Sequence, residues 1–409
     1  LPYFNGNIRD SLLYMKASNT YKENKAYLID LQKYTSENLS NYRTGQKIFE
    51  ESFSKKNFRL EEFDSLYKKN SGNNELKKSI WFLRNMYRLG KNLEVLKIDS
   101  LKIEEELKFT YNESFYDRIV LGDNELDLKD IHYGSNDMWS KSKKHYHGTI
   151  VAGILAANRV NKKGVKGFSD QIKIMAIKTT PNGGSENDKD VALGIRYAVD
   201  NGAKIINMSF GKTSCLHPEW IKEAILYAET HDVIVIAGAG NNSWDNDINT
   251  FYPIDYDEQT GKEYCSNFIK VGGTTLDGNK YFLLPSTNYG NKTVDIFAPG
   301  YFLKTTDPNV GYSYRDGTSM ASPIVSGVAA LVRSYYPKLT ASQVKQIILE
   351  SGVAYDLNVQ VPGEKDGVLK PFREMSKSGK VVNAYNALLM AAEFSKKKKT
   401  NHNKHISTK

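Results

Sequence analysis

The spacing of apolar positions changes about a quarter of the way along the chain. Up to about residue 109, apolar side chains recur at helical spacing: Leu76, Ile80, Leu83 and Tyr87 form one stripe, and Leu12 and Met15 begin another. Three or four amphipathic helices are predicted over residues 1–114, punctuated by Gly45, by Ser71 with Gly72, and by Gly90. Their aromatic residues read as packing groups, and no chemistry-bearing pattern interrupts them.

Beyond about residue 115 the texture is different. Short, nearly continuous apolar runs at 172–177, 205–210, 233–236, 268–271 and 294–298 alternate with helical patterns at 190–200 and 218–230 and with a long helix running through Ala330. Strands apolar on both faces are buried on both faces, and strand-helix alternation implies parallel pairing through crossover helices. The predicted fold class is therefore α/β: a doubly wound, mostly parallel sheet over residues 115–394, preceded by a helical segment. Residues 352–379 read as an irregular surface excursion, and 381–394 as a closing helix with Asn383 as its cap. In such sheets the chemistry sits beyond the carboxyl ends of the strands.

Composition narrows the classes. The chain has 409 residues, 40% hydrophobic and 25% charged, which is ordinary for a folded soluble protein. No run approaches 18 apolar residues, so no membrane span is expected. The net charge of +9 is concentrated in residues 395–409, where six lysines stand without an acid. That segment is expected to be a disordered solvated tail, and no nucleic-acid partner is expected. Cys215 and Cys265 are too few for a disulfide framework or a zinc site, and whether they pair is left open. The chain opens Leu1-Pro2 without a signal-like region and reads as a processed or truncated product.

Four segments carry candidate chemistry. In the first, His147 is followed by Gly148 and Thr149 and then by Ala152, Gly153, Ala156 and Ala157, a helix that can approach its neighbours closely. His132 and His145 lack such surroundings and read as ordinary histidines. Ser319 opens an Ala/Gly/Val-rich helix, with Pro323 close enough to its first turn to be tolerated. A serine there could be a plain helix cap, yet nearby N–H groups and the helix dipole would also favour negative charge beside it. Asn241 ends a buried run, where its amide could serve a turn or donate to a developing oxyanion. Finally, Ser209, Phe210 and Gly211 leave a buried strand with backbone that could pair with an extended peptide.

Chain order discriminates among serine hydrolases. After Ser319 the only histidines are His402 and His405 in the lysine-rich tail, so the order nucleophile, acid, histidine fails. An all-β scaffold is contradicted by the texture. A nucleotide-binding protein would need a glycine fingerprint between a first strand and helix, and none stands there. Histidine before serine on an α/β sheet remains.

The segments His147-Gly148-Thr149, Asn207-Met208-Ser209 with Gly211, Ala239-Gly240-Asn241, Phe297-Ala298-Pro299-Gly300 and Gly317 to Pro323 resemble, in order and spacing, the signatures of the subtilisin-like serine proteases (subtilases, peptidase S8). The resemblance spans roughly residues 115–394 and implies a subtilisin-like fold. It implies Ser319 as nucleophile, His147 as general base, and Asn241 with the Ser319 amide as oxyanion donors. Ser209, Phe210, Gly211, Gly238, Ala239 and Gly240 would line the substrate cleft. It further implies a polypeptide substrate, a monomer, and a secreted or cell-envelope location.

Two positions depart from the family pattern. Ile150 stands where many members have a second, non-catalytic histidine. More seriously, no Asp-Ser-Gly or Asp-Thr-Gly precedes His147. Asp123 is the nearest candidate for the orienting acid, but the chain resembles a Bacteroidetes-type subgroup in which a helical insertion separates the aspartate strand from the histidine region. The expectation is that this strand lies upstream of Leu1. The alternative is a non-catalytic, subtilase-like peptide-binding protein lacking the relay acid. No cofactor is expected; structural calcium occurs across the family, but Asp and Asn are too scattered here for a site to be assigned.

Overall fold

The computed structural model of the chain describes residues 8–54, 59–70, 72–88, 92–112, 118–136, 138, 146–180 and 186–406. Gly90 and His145 lie outside the described residues. The chain divides into two units, residues 1–121 with 181–185, and residues 122–180 with 186–409.

The first unit contains α1 (Ile8–Phe53), α2 (Leu60–Lys69), α3 (Asn74–Arg88), α4 (Leu93–Glu105), which passes into a π-helical turn at Glu106–Thr110, and α5 (Arg118–Leu121). Tyr42, Phe49, Phe63, Leu66, Ile80, Phe82, Leu83 and Leu96 form its core. Ile80 and Leu83 therefore pack as expected, whereas Met15 and Tyr87 are exposed. Gly45 does not punctuate the segment but lies inside α1. A Cβ there would stand 2.5 Å from the Ser79 carbonyl oxygen of α3, so glycine permits this close crossing. Nearby, the Ser79 hydroxyl donates to Asn41 Oδ1 at 3.1 Å.

In chain order the second unit contains α6 (His147–Ala156), α7 (Asp188–Asp200), β1 (Ile205–Met208), α8 (Pro218–Thr230), β2 (Ile234–Gly238), β3 (Phe268–Thr274), β4 (Ile296–Pro299), β5 (Leu303–Asp307), β6 (Gly311–Arg315), α9 (Thr318–Tyr335), α10 (Ala341–Ser351), β7 (Val353–Ala354), β8 (Asn358–Gln360), β9 (Leu369–Pro371), β10 (Lys380–Val381) and α11 (Ala384–Ile406). The main sheet runs β1-β2-β3-β4-β10-β7, parallel throughout except for the last pair. Alternation along β2 explains why both faces are covered. Ile234 and Ile236 pack against α9, α10 and α11, while Val235 and Ala237 pack against α7 and α8. Asn383 caps α11 as expected, accepting the Asn386 N–H at 2.9 Å.

Three expectations fail for physical reasons. Residues 172–177 form no strand, because a strand needs a ladder partner and no described residue pairs with them. Their apolar side chains stay open to solvent, with Ile174, Met175 and Ile177 all exposed. Residues 352–379 are not a surface excursion: Val359, Val361, Phe372 and Met375 are buried against Phe282 and Phe297. The segment is irregular in backbone yet apolar at the positions that matter. Finally, α11 does not stop near residue 394 but continues to Ile406, carrying the lysine run as helix where a disordered tail was expected.

The small residues of α6 prove to be packing devices. Thr305 and Thr306 of β5 donate their hydroxyls to the carbonyls of Ile150 and Thr149 at 2.7 and 2.8 Å. A Cβ on Gly153 would lie 2.1 Å from Thr306 Oγ1 and 2.6 Å from Thr305 Oγ1. Gly153→Ala should therefore force the helix off the hairpin and cost roughly 1–3 kcal/mol, the usual penalty for overpacking. Urea unfolding measures this, and an unchanged midpoint would contradict it.

Candidate active site

Helix α9 begins at the carboxyl ends of β1 and β2, and its first turn organises the site. Gly317 precedes it with φ of +129°, a backbone state that glycine adopts without strain. Thr318 follows, and its N–H donates to Asn241 Oδ1 at 2.9 Å. The Thr318 hydroxyl accepts the Gly240 N–H at 3.2 Å, tying the end of β2 to the head of α9. Gly238 also lies against Thr318, where a Cβ would meet Oγ1 at 3.1 Å. Because the Asn241 oxygen is bonded to the helix, Nδ2 is the end of this exposed amide that a ligand can use.

Ser319 is half-buried one residue further on. Its hydroxyl donates to the Ser209 carbonyl at 3.0 Å, and the Ser209 hydroxyl donates back to the Ser319 carbonyl at 2.9 Å. The second bond has a covalent cause. Pro323 lies four residues after Ser319 and has no N–H, so the Ser319 carbonyl lacks its intrahelical partner. Ser209 supplies the missing proton. Its oxygen also lies 2.9 Å from Ser322 Oγ and accepts from Asn207 Nδ2 at 2.9 Å, while Ser326 donates to Asn207 Oδ1 at 3.0 Å. The proline thus stays inside α9 because the end of β1 satisfies the carbonyl it orphans.

His147 is the first residue of α6 and is exposed. The first turns of α6 and α9 meet, since Ile150, Val151 and Met320 share one buried cluster with Tyr146 and Leu303 packed on it. The Arg315 guanidinium lies 5.0 Å from the Tyr146 ring centroid and approaches the same corner from β6. Ile150, the residue that departs from the family pattern, is thereby a core residue of this junction.

Asp123 has other commitments. It pairs with Lys189 Nζ, and both side chains are fully buried. Lys189 also donates to the Asn124 carbonyl at 2.9 Å, so the pair anchors this segment to α7. The residues just before Asp123 form the helical turn α5. Both cysteines are free thiols, and burial pushes Cys265 up to about 12.

A sequence model of the subtilase family matches residues 66–378. The chain belongs to the subtilase family. Over 189 residues it is 39% identical to a thermophilic serine proteinase of Bacillus sp. (strain AK1), an alignment covering 46% of this chain and 42% of that protein. It is 36% identical over 200 residues to subtilisin DY of Bacillus licheniformis, covering 49% of this chain and 67% of the relative. With thermitase of Thermoactinomyces vulgaris it shares 38% over 190 residues, covering 46% and 61%. The match therefore spans between 42% and 67% of these relatives' lengths.

In this subtilase the sequence-derived candidates Ser319, Asn241, Ser209, Gly238 and Gly240 converge on the first turn of α9, and His147 heads the helix packed against it. Three contributors were not singled out from sequence: Thr318, which bridges Gly240 and Asn241, and Ser322 and Ser326, which extend the Ser209 network. Thr318 and Ser322 stand in the Gly317 to Pro323 motif, so the motif carried that signal. Ser326 lies one helical turn after Ser322 and carried none.

Proposed function

We propose that this chain is the catalytic core of a serine endopeptidase, hydrolysing polypeptides through an acyl-enzyme. In this reading His147 takes the Ser319 proton as the hydroxyl attacks a peptide carbonyl, then returns a proton to the leaving amine. Asn241 Nδ2 and the Ser319 N–H receive the oxyanion. The segments 209–211 and 238–240 form the two walls that pair with the substrate backbone. Side chains and backbone carry every step, so the reading requires no cofactor. Family habit adds a monomer acting outside the cell or at its envelope.

The observation that carries this reading is the Ser319 hydroxyl at the head of a buried helix, with Asn241 bonded to the residue before it. Family membership gives that arrangement its chemistry. The relay acid that orients His147 belongs, in this proposal, to a strand N-terminal to Leu1. One observation favours it: the outer edge of β1 has no ladder partner among the described residues. A parallel strand added there would place a carboxylate at its carboxyl end on the side of the sheet where Ser209 follows β1.

The test is labelling of the full-length protein with a fluorophosphonate, followed by peptide mapping. The expected result is a phosphonylated Ser319. A folded full-length protein that never labels would favour the non-catalytic peptide-binding alternative instead.

A further inference from the structure

The hairpin of β5 and β6 grips the head of α6 and runs directly into the head of α9. Three contacts make the grip. Thr306 and Thr305 donate to the Thr149 and Ile150 carbonyls, and the Arg315 guanidinium lies 5.0 Å from the ring centroid of Tyr146, the residue before His147. At the other end, β6 passes through Asp316, Gly317 and Thr318 into Ser319. That junction is tied at three points. Leu303 pairs with Arg315 in the ladder, Asp316 accepts the Phe302 N–H, and the Gly317 N–H donates to the Gly300 carbonyl at 2.8 Å. Phe302 and Tyr314 also stack, their centroids 4.2 Å apart and their planes 14° apart. A displacement of β6 is therefore transmitted to the turn before Ser319.

Arg315 is itself held from behind. Its Nη2 donates to Asp307 Oδ2 at 2.7 Å, and the Asp307 side chain is buried. The Ser313 hydroxyl donates to the same oxygen at 2.7 Å, and the Asn309 N–H donates to the other at 2.9 Å. Burial pushes the Asp307 carboxyl up, but these donors outweigh it and hold the group below the usual carboxylate range. Arg315 Nε is buried and has no hydrogen-bond partner among the described residues. One ion pair and one ring face thus fix the guanidinium. A lysine could keep the first but not the flat stack.

We infer that Arg315 is a positioning residue: by clamping Tyr146 to the hairpin that leads into Ser319, it sets the His147 imidazole relative to the attacking hydroxyl. This rests on the protease reading above. Arg315 acts on His147 only through Tyr146 and takes no proton itself. Misplacing a reacting group by about 1 Å can cost about 10²-fold in rate. The walls at 209–211 and 238–240 belong to other segments, so substrate affinity should be spared while the chemical step slows.

The experiment compares the full-length wild type with Arg315→Met, Arg315→Lys, Tyr146→Leu and the double variant Arg315→Met with Tyr146→Leu. Peptide hydrolysis and the rate of labelling by a small fluorophosphonate are measured, with thermal unfolding as the control for folding. Arg315→Met should lower kcat and the labelling rate together by about 10-fold to 100-fold, with KM within about threefold of wild type. Tyr146→Leu should do the same. The double variant should be no slower than the slower single one, because the two residues act as a unit. Arg315→Lys keeps the Asp307 pair and should regain part of the rate while still falling short of wild type, which serves if the methionine variant does not fold. Folded variants that react at the wild-type rate, losses that fall on KM, or losses that multiply in the double variant overturn the proposal alone. A wild-type protein that does not label overturns it together with the protease reading.

Discussion

Ser319→Ala in the full-length protein should lower kcat by about 10⁶, the loss that removal of the nucleophile causes in subtilisin, a relative of this chain. The fold should survive. Among the described residues the Ser319 hydroxyl donates one hydrogen bond, to the Ser209 carbonyl, and one such bond is worth about 1 kcal/mol net. The backbone carbonyl that receives the Ser209 hydroxyl is untouched by the substitution. Asn241→Ala should cost less, about 10²–10³ in kcat, as removal of an oxyanion donor does in subtilisin. Single-turnover hydrolysis of a chromogenic peptide, with circular dichroism as the control for folding, separates these effects. An alanine variant at 319 that keeps a tenth or more of the wild-type rate would mean that another group attacks.

The second large effect concerns stability. Lys345 Nζ lies 3.5 Å from Asp255, 3.4 Å from Glu263 and 3.6 Å from Asp295. Lys377 donates to the same Asp295 at 3.0 Å, and the Lys270 N–H donates to its other oxygen at 2.7 Å. Asp295 and Asp255 are both buried. Lys345→Ala leaves those carboxylates without their central cation, and breaking a buried ion pair in this way costs about 3–5 kcal/mol. Chemical denaturation should show it, and a loss below about 1 kcal/mol would mean that solvent or a neighbour compensates.

The same group predicts an acid response. Burial pushes the Asp295 carboxyl upward, but Lys345, Lys377 and the Lys270 amide outweigh it and hold the group below the usual carboxylate range. Burial, then the Asp295 charge, push Asp255 up to about 6. A carboxyl lowered on folding contributes stability above its unfolded value of about 4, which is lost as pH falls through the folded value. A carboxyl raised on folding behaves oppositely, binding a proton in the native state and adding stability as pH falls from about 6 to about 4. The pair together should therefore be most stabilising near pH 4, with stability falling on both sides, and Asp295→Asn should flatten the decline on the acid side.

The sequence revealed most where function requires fixed residue types at fixed spacing. The run from Gly317 to Pro323 named the helix that carries Ser319, and Asn207-Met208-Ser209 and Ala239-Gly240-Asn241 named the segments that meet it. Apolar runs identified β2 and β3 because both faces of those strands are buried. The run at 172–177 has the same texture but no ladder partner among the described residues, and local composition cannot report a missing neighbour. The core role of residues 352–379 was hidden because Val359, Val361, Phe372 and Met375 follow neither a helical nor a strand period. The charged cluster was hidden for another reason. Its members, from Asp255 to Lys377, are brought together only by the finished fold.

The exchange of hydrogen bonds between Ser209 and Ser319 couples occupancy to reactivity. At rest the Ser319 hydroxyl donates to a main-chain acceptor, the Ser209 carbonyl. On the protease proposal, an incoming polypeptide whose own amide claims that acceptor would evict the hydroxyl from its resting partner, so that the arriving chain itself unlocks the group that cuts it.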